Sequence, residues 1–284
     1  MTGRDRTDWP DALRAAVAAG GAECEDFLEA VLGQAEADPD LVAQVLRYFG
    51  HLPAERVAGR LQALRVEAAS RGRAVAAAAG AGRGIRAGSG EVDAVQVRPL
   101  HAGFFALDLW QLRHRRFDGG MSPPLTREVF VAGDAVTVLP YDPARDRVLL
   151  IEQMRIGPLG RGDPLPWQLE AIAGRIDPGE TPQEAACREA VEEAGLVLGA
   201  LEKVAEYYPT PGAMTEYLYS YVALCDLPDG VAGVFGAAQE AEDIKGHLLS
   251  FDRLVEVMAA GEIRNAPLLL SVLWLQRERA RLRG

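Results

Sequence analysis

The chain is poor in several features that would mark out whole classes of function. Three cysteines, Cys24, Cys187 and Cys225, are scattered through 284 residues, too few and too far apart for a disulfide framework or a zinc site. A reducing cytoplasm is the expected setting. No uninterrupted apolar run approaches the roughly 20 residues of a membrane span. The polar start Met1-Thr-Gly-Arg-Asp-Arg-Thr-Asp8 has no apolar segment behind it, so neither a membrane nor a secretory signal is expected. Basic charge is short as well: the formal net charge is -11, which argues against a general nucleic-acid binder. The four histidines, His51, His101, His114 and His247, stand alone without metal-ligand spacing and are expected to be structural. Gly80, Gly82, Gly84 and Gly88 are followed by no Lys-Ser or Lys-Thr pair, so a Gly-rich phosphate loop is missing and phosphate must be held by metal and arginine.

What remains is an ordinary globular composition, 49% hydrophobic and 25% charged, with room for one substantial domain and a smaller one. Apolar residues recur at helical spacing through Leu13 and Val17, Leu41 and Val45, and Leu61 and Leu64. A small all-helical module over 1–74 is therefore expected, serving packing or partner contact. The Ala, Gly and Arg composition of 75–91 reads as a linker. Beyond it, strands are expected over 92–98, 104–115, 129–139, 147–154, 167–173, 200–208, 216–224 and 247–251, and helices over 252–260 and 266–283. Their irregular interleaving predicts an α/β domain over 92–284 with a mixed sheet sandwiched between helices.

The most informative stretch is 174–196, Gly174-Arg-Ile-Asp-Pro-Gly-Glu180-Thr-Pro-Gln-Glu-Ala-Ala-Cys-Arg188-Glu189-Ala-Val-Glu192-Glu193-Ala-Gly195-Leu196. Thr181-Pro-Gln-Glu184 supplies a hydroxyl cap, a proline suited to the first helical position and a Glu that reaches back, so a helix is expected to begin at Pro182. Gly195 is its natural end. Glu189 and Glu193 lie one turn apart with Glu192 beside them, gathering three carboxylates on one face, while Cys187, Val191 and Ala194 are expected to point to the core. Neighbouring carboxylates repel one another unless a cation sits among them. Hard oxygen donors at this density suit Mg2+ or Mn2+. The competing reading is a solvated face in which Glu184, Arg188 and Glu192 form ordinary ion pairs.

These residues, with every fixed position filled, resemble the Nudix signature. Further motifs narrow the resemblance to bacterial ADP-ribose pyrophosphatases: Gly103-Phe-Phe-Ala-Leu-Asp108, Arg127-Glu128, Leu150-Ile-Glu-Gln-Met-Arg155, Trp167-Gln-Leu-Glu-Ala-Ile-Ala-Gly174, and Pro211, sixteen residues after Gly195. Within that group the chain is most similar to the Nudix proteins associated with tellurite resistance in proteobacteria. The resemblance covers 92–283 and implies a Nudix fold, Mg2+ (or Mn2+) as cofactor, and hydrolysis of ADP-ribose to AMP and ribose 5-phosphate. Alternatives are another nucleoside-diphosphate compound, such as a nucleotide sugar or NADH, or a non-catalytic ADP-ribose-binding regulator. It implies metal ligands at Glu189, Glu193, Glu242 and the Ala173 carbonyl, catalytic roles for Glu240, Glu193 and Glu192, and support from Gly174, Glu180 and Arg188. Phe104 is implied to stack on adenine. Arg127, Glu128, Arg155, Pro211 and Glu216 are implied to hold the rest of the substrate. A homodimer that exchanges the N-terminal strands of the Nudix domain is the implied assembly, with no nucleic acid or membrane partner.

Overall fold

A computed structural model of the chain describes residues 10–33, 38–80, 85, 90–236 and 242–284. They belong to two compact units, Met1–Gly133 with Thr210–Glu216, and Asp134–Pro209 with Tyr217–Gly284, here called the N-terminal unit and the sheet unit.

The N-terminal unit begins with α1 (Asp11–Leu32), α2 (Pro39–Leu46), α3 (Ala54–Ala58) and α4 (Leu61–Gly80). Asp38 caps α2, accepting from Leu41 N–H at 2.7 Å, and Pro39 follows at the first helical position, where its missing N–H costs nothing. Leu28, Val42, Val45 and Leu64 are fully buried in one helical core. The linker expected from residue 75 starts later than its composition implies, because α4 runs on to Gly80. The reason is local: 74–79 read Ala-Val-Ala-Ala-Ala-Ala, and alanine is the strongest helix former. Positions 81–84 and 86–89 lie outside the described residues. Next come β1 (Val92–Ala102), β2 (Ala106–His114) and β3 (Leu125–Val131), a three-stranded antiparallel sheet in that order.

The sheet unit holds β4 (Ala135–Asp142), β5 (Arg147–Met154), α5 (Ile156–Arg161), β6 (Trp167–Glu170), β7 (Ile172–Arg175), α6 (Pro182–Ala194), β8 (Leu201–Tyr207) and β9 (Leu218–Leu224). It closes with β10 (Val234–Phe235), β11 (Ile244–Ser250), α7 (Phe251–Ala259) and α8 (Ala266–Arg283). The main sheet runs β10-β11-β5-β4-β9-β8, with β6 paired to β5 and β7 to β4. It is mixed: β4 and β9 are parallel, the other pairings antiparallel.

Both faces of this sheet are covered, which is why β5 reads as an unbroken apolar run. Leu149 and Ile151 enter the cluster with Ala185, Ala186 and Ala190 of α6. Val148 and Leu150 enter the opposite cluster, with Leu254 of α7 and Leu268, Val272 and Leu275 of α8. All four β5 residues are 0% exposed, and burying a side chain of this size contributes about 1.5–3 kcal/mol. The fold is thus the expected mixed sheet between helices, preceded in the chain by a helical region. Two of the expected strands are each divided. The span 129–139 breaks between Val131 and Ala135, where pairing changes from β2 to β7 and β9, and 167–173 breaks at Ala171, where pairing passes from β5 to β4. Period-two patterning carries no mark of such a change of partner. Among the described residues no helix is long and apolar enough to cross a membrane.

Candidate active site

Helix α6 starts and stops where its sequence directs. Thr181 Oγ1 accepts from Glu184 N–H at 3.2 Å and Glu184 Oε2 accepts from Thr181 N–H at 2.8 Å, a complete capping box. Gly195 ends the helix in the left-handed region at φ 61°, its N–H donating to Val191 O at 3.0 Å, a conformation that costs glycine nothing. The buried face agrees with the expected one at Ala194 and departs from it at Cys187 and Val191. Cys187 is exposed and Val191 is 55% exposed, whereas Ala185, Ala186, Ala190, Glu193 and Ala194 are buried. Alanines let the helix lie close on the sheet, and the closely packed face therefore carries Glu193 inward with it.

Arg188 is the hub of the helix. Its Nε and Nη2 donate to Glu180 Oε1 and Oε2 at 2.8 and 3.0 Å, and its Nη1 donates to Glu189 Oε1 at 2.7 Å and Glu192 Oε2 at 3.1 Å. Nη2 also reaches the Arg175 carbonyl at 2.9 Å. These bonds keep the guanidinium charged, and the Arg188 bond holds the Glu180 carboxyl below its usual range. Glu180 in turn accepts from Asp177 N–H at 3.0 Å, which fixes the loop leading to the helix. The Arg188–Glu192 ion pair is present, while Glu184 serves the cap instead. Gly174 is required by contact: a Cβ there would lie 1.8 Å from Glu189 Oε1.

The three helix carboxylates are not equivalent. The Glu192 side chain is 48% exposed, that of Glu189 is 12% exposed, and Glu193 is 3% exposed. Burial raises the Glu193 carboxyl to about 8, reinforced by Glu189 and Glu242 and opposed by the Ala173 N–H, which donates to Glu193 Oε2 at 3.0 Å. Burial also raises Glu189, with Glu192 and Glu242 acting in the same direction and Arg188 against it. Acidic groups forced together out of water are stabilised by a cation. The donor set, carboxylates with the Ala173 carbonyl, is one of hard oxygens and fits a divalent ion of the Mg2+ class. Among the described residues no three His, Cys, Asp or Glu side chains are grouped closely enough to hold a metal ion by themselves. Glu240, for which a catalytic role is implied, lies outside the described residues.

Comparison with known proteins shows the family. The NUDIX domain family matches residues 131–270. The chain is 39% identical to the ADP-ribose pyrophosphatase of Escherichia coli over 189 residues, 66% of this chain and 90% of that one. The chain belongs to the Nudix hydrolase family. Enzymes of this family use a divalent metal. This Nudix hydrolase is also 35% identical to the ADP-ribose pyrophosphatase of Haemophilus influenzae over 194 residues, 68% of this chain and 89% of that one. It is 33% identical to the GDP-mannose pyrophosphatase of Pectobacterium atrosepticum over 177 residues, 62% and 90% of the two chains. In fold it resembles the crystal structure of an ADP compounds hydrolase, at TM-score 0.54 and 18% identity, covering 68% of this chain and 97% of that one.

The sequence-predicted residues divide between the two units of this Nudix hydrolase. Ala173, Gly174, Glu180, Arg188, Glu189, Glu192, Glu193, Glu242 and Arg155 belong to the sheet unit. Arg155 donates through Nε and Nη2 to Glu170 Oε2 at 3.0 and 2.7 Å. Glu170 has no sequence signal beyond its place in the strand run before Gly174. Phe104, Arg127, Glu128, Pro211 and Glu216 belong to the N-terminal unit. There, Thr215 donates to the Phe130 carbonyl at 3.0 Å and Phe130 to the Ala213 carbonyl at 2.8 Å, so the loop bearing Pro211 is clipped to the strand bearing Arg127 and Glu128. Phe104 is 76% exposed at the β1–β2 tip, edge-on to Phe105 with ring centroids 4.9 Å apart. A cavity of about 390 Å³ opens elsewhere on the sheet unit, lined by Glu152, Trp167, His247 and Arg253 among others, and by none of the signature carboxylates. His247 there pairs with Glu152 at 2.7 Å.

Proposed function

We propose that this Nudix hydrolase cleaves the diphosphate of ADP-ribose to AMP and ribose 5-phosphate, with Mg2+ as its ion and Mn2+ as a substitute. The observation carrying this reading is the 39% identity across 90% of an ADP-ribose pyrophosphatase, in a chain that keeps Gly174, Glu180, Arg188, Glu189, Glu192 and Glu193. In the reaction a water oxygen bonds to one phosphorus, the bond from that phosphorus to the bridging oxygen breaks, and the bridging oxygen departs on the other phosphate. A bound divalent cation supplies charge neutralisation at the phosphates and polarises oxygen.

The chain's own groups divide the work. Glu189, Glu193, Glu242 and the Ala173 carbonyl would hold the ion. Glu240 takes the proton of the attacking water. Arg188, tied to Glu180 and Glu192, keeps Glu189 in place, and Arg155 offers a planar fork suited to phosphate oxygens. Phe104 stacks on the adenine, and Arg127, Glu128, Pro211 and Glu216 hold the rest of the nucleotide. In a homodimer that exchanges the N-terminal strands, these last residues serve the neighbour's site. A second reading, hydrolysis of a nucleotide sugar, is favoured by the 33% identity to a GDP-mannose pyrophosphatase. Retention of every signature carboxylate favours an enzyme over a binding regulator. The test is a comparison of kcat/KM for ADP-ribose, NADH, GDP-mannose and diadenosine polyphosphates with Mg2+ present. ADP-ribose is expected to lead the series. A preference for a substrate without adenine would overturn the assignment.

A further inference from the structure

The α1–α4 module lies outside the matched Nudix residues 131–270, yet it directs two arginines, Arg60 and Arg47, to the β1–β2 hairpin. Arg60, 8% exposed at the head of α4, donates from Nε to the Gly103 carbonyl at 2.8 Å, from Nη1 to Tyr48 Oη at 2.7 Å and from Nη2 to Glu67 Oε1 at 2.9 Å. Arg47, just past α2, forms an ion pair with Asp108 of β2, which is 0% exposed. Ala102, the last residue of β1, is part of the same core as Leu28, Val42 and Leu64. The hairpin tip is therefore held on both sides of Phe104: at Gly103 through its carbonyl and at Asp108 through its carboxylate. Across the tip, Gly103 N–H donates to the Phe105 carbonyl at 2.9 Å.

These bonds are a costly way to stabilise a fold. Buried ion pairs contribute little net stability compared with apolar packing, because both charges must leave water. What they supply here is direction: a guanidinium accepted by one carbonyl, one hydroxyl and one carboxylate has a single orientation, and the carbonyl it holds adjoins Phe104. An exposed aromatic at a hairpin tip is otherwise free to sample many positions, and that freedom must be surrendered when a ligand binds.

We infer that the helical module is a brace that pre-positions Phe104 against the base of the substrate, with Arg60 and Arg47 as positioning residues. The inference rests on the reading that Phe104 stacks on adenine. A braced tip lowers the ordering cost of binding and leaves the bond-breaking step alone, so its loss is felt in KM and not in kcat.

The test uses the full chain with Mg2+ and ADP-ribose. The double variant Arg60→Gln/Glu67→Gln removes the grip on Gly103 without stranding a buried charge. It is expected to raise KM about tenfold with kcat changed less than about twofold. Phe104→Ala is expected to raise KM similarly, and adding it to the double variant should raise KM little further, since coupled sites do not add. Should the double variant not fold by circular dichroism, Tyr48→Phe, which removes only the hydroxyl that steers Arg60, is expected to raise KM about two- to threefold. Equal falls in kcat and kcat/KM, or independent effects that multiply, would overturn the brace. A raised KM for Phe104→Ala beside an unchanged KM for a folded brace variant sinks the brace alone. An unchanged KM for Phe104→Ala sinks the stacking reading and the brace with it.

Discussion

The sheet unit and the N-terminal unit place the residues proposed to act in opposite environments. In the first, Glu193 is 3% exposed and Glu180, Glu189 and Glu192 are tied through one guanidinium. In the second, Phe104 is 76% exposed, and Arg127, Glu128 and Pro211 are exposed as well. Groups that must bear charge at a fixed point are worth burying and crosslinking, since low dielectric strengthens whatever they hold. Groups that must meet a ligand need access, and order is supplied to them from behind, as Arg60 does for the tip beside Phe104. On the roles proposed for these residues, chemistry and substrate choice are housed apart along the chain.

The largest effect that would break this comparison is expected at Glu193. Glu193→Gln should lower kcat by about 10³-fold, while the melting temperature of the metal-free protein holds or rises, because a carboxyl that resists ionisation is replaced by a neutral amide. A variant retaining near wild-type kcat in saturating Mg2+ would remove the sheet unit's claim to the chemistry. Arg188→Ala comes next. It leaves Glu180, Glu189 and Glu192 facing one another unpaired, and should cost about 10²-fold in kcat/KM and about 2 kcal/mol in denaturant unfolding. Phe104→Ala should raise KM for ADP-ribose about tenfold with unfolding unchanged, since an exposed ring contributes little to the fold.

The remaining effect is the dependence of stability on pH. Glu193 is lifted from 4.5 to about 8 in the folded, metal-free chain, so between those values the folded state keeps a proton that the unfolded state has released. Its contribution is full below about 4.5 and is lost as pH rises through about 8. Thermal unfolding without metal should therefore show falling stability over that window, and Mg2+, which favours the ionised form, should flatten or reverse the trend. An unchanged slope on adding Mg2+ would contradict a cation at Glu193.

How much of this was legible in the sequence follows from the range of the interactions. The limits of α6 were plain because a cap and a terminating glycine are local, Thr181 with Glu184 and Gly195 with Val191. Its inward face was legible at Ala194 alone, because burial depends on what the sheet brings, and Ala185, Ala186 and Ala190 took the core face in place of Cys187 and Val191. The mixed sheet was legible as a class. The breaks at 132–134 and at Ala171 were not, since each is a change of strand partner. Arg60 meets Gly103 across 43 positions, and no spacing rule connects them. The roles of Glu189 and Glu193 were suggested by their spacing, while those of Phe104 and Arg127 rested on resemblance alone.

The separation of chemistry from substrate choice is tested most directly by one ratio, kcat/KM for ADP-ribose over that for GDP-mannose, measured for the wild type, Glu193→Gln and Phe104→Ala. Glu193→Gln is expected to lower both rates by the same factor and leave the ratio where it was. Phe104→Ala is expected to lower the ratio several-fold through the ADP-ribose term. A ratio that moves with Glu193 and stands still with Phe104 would contradict the account.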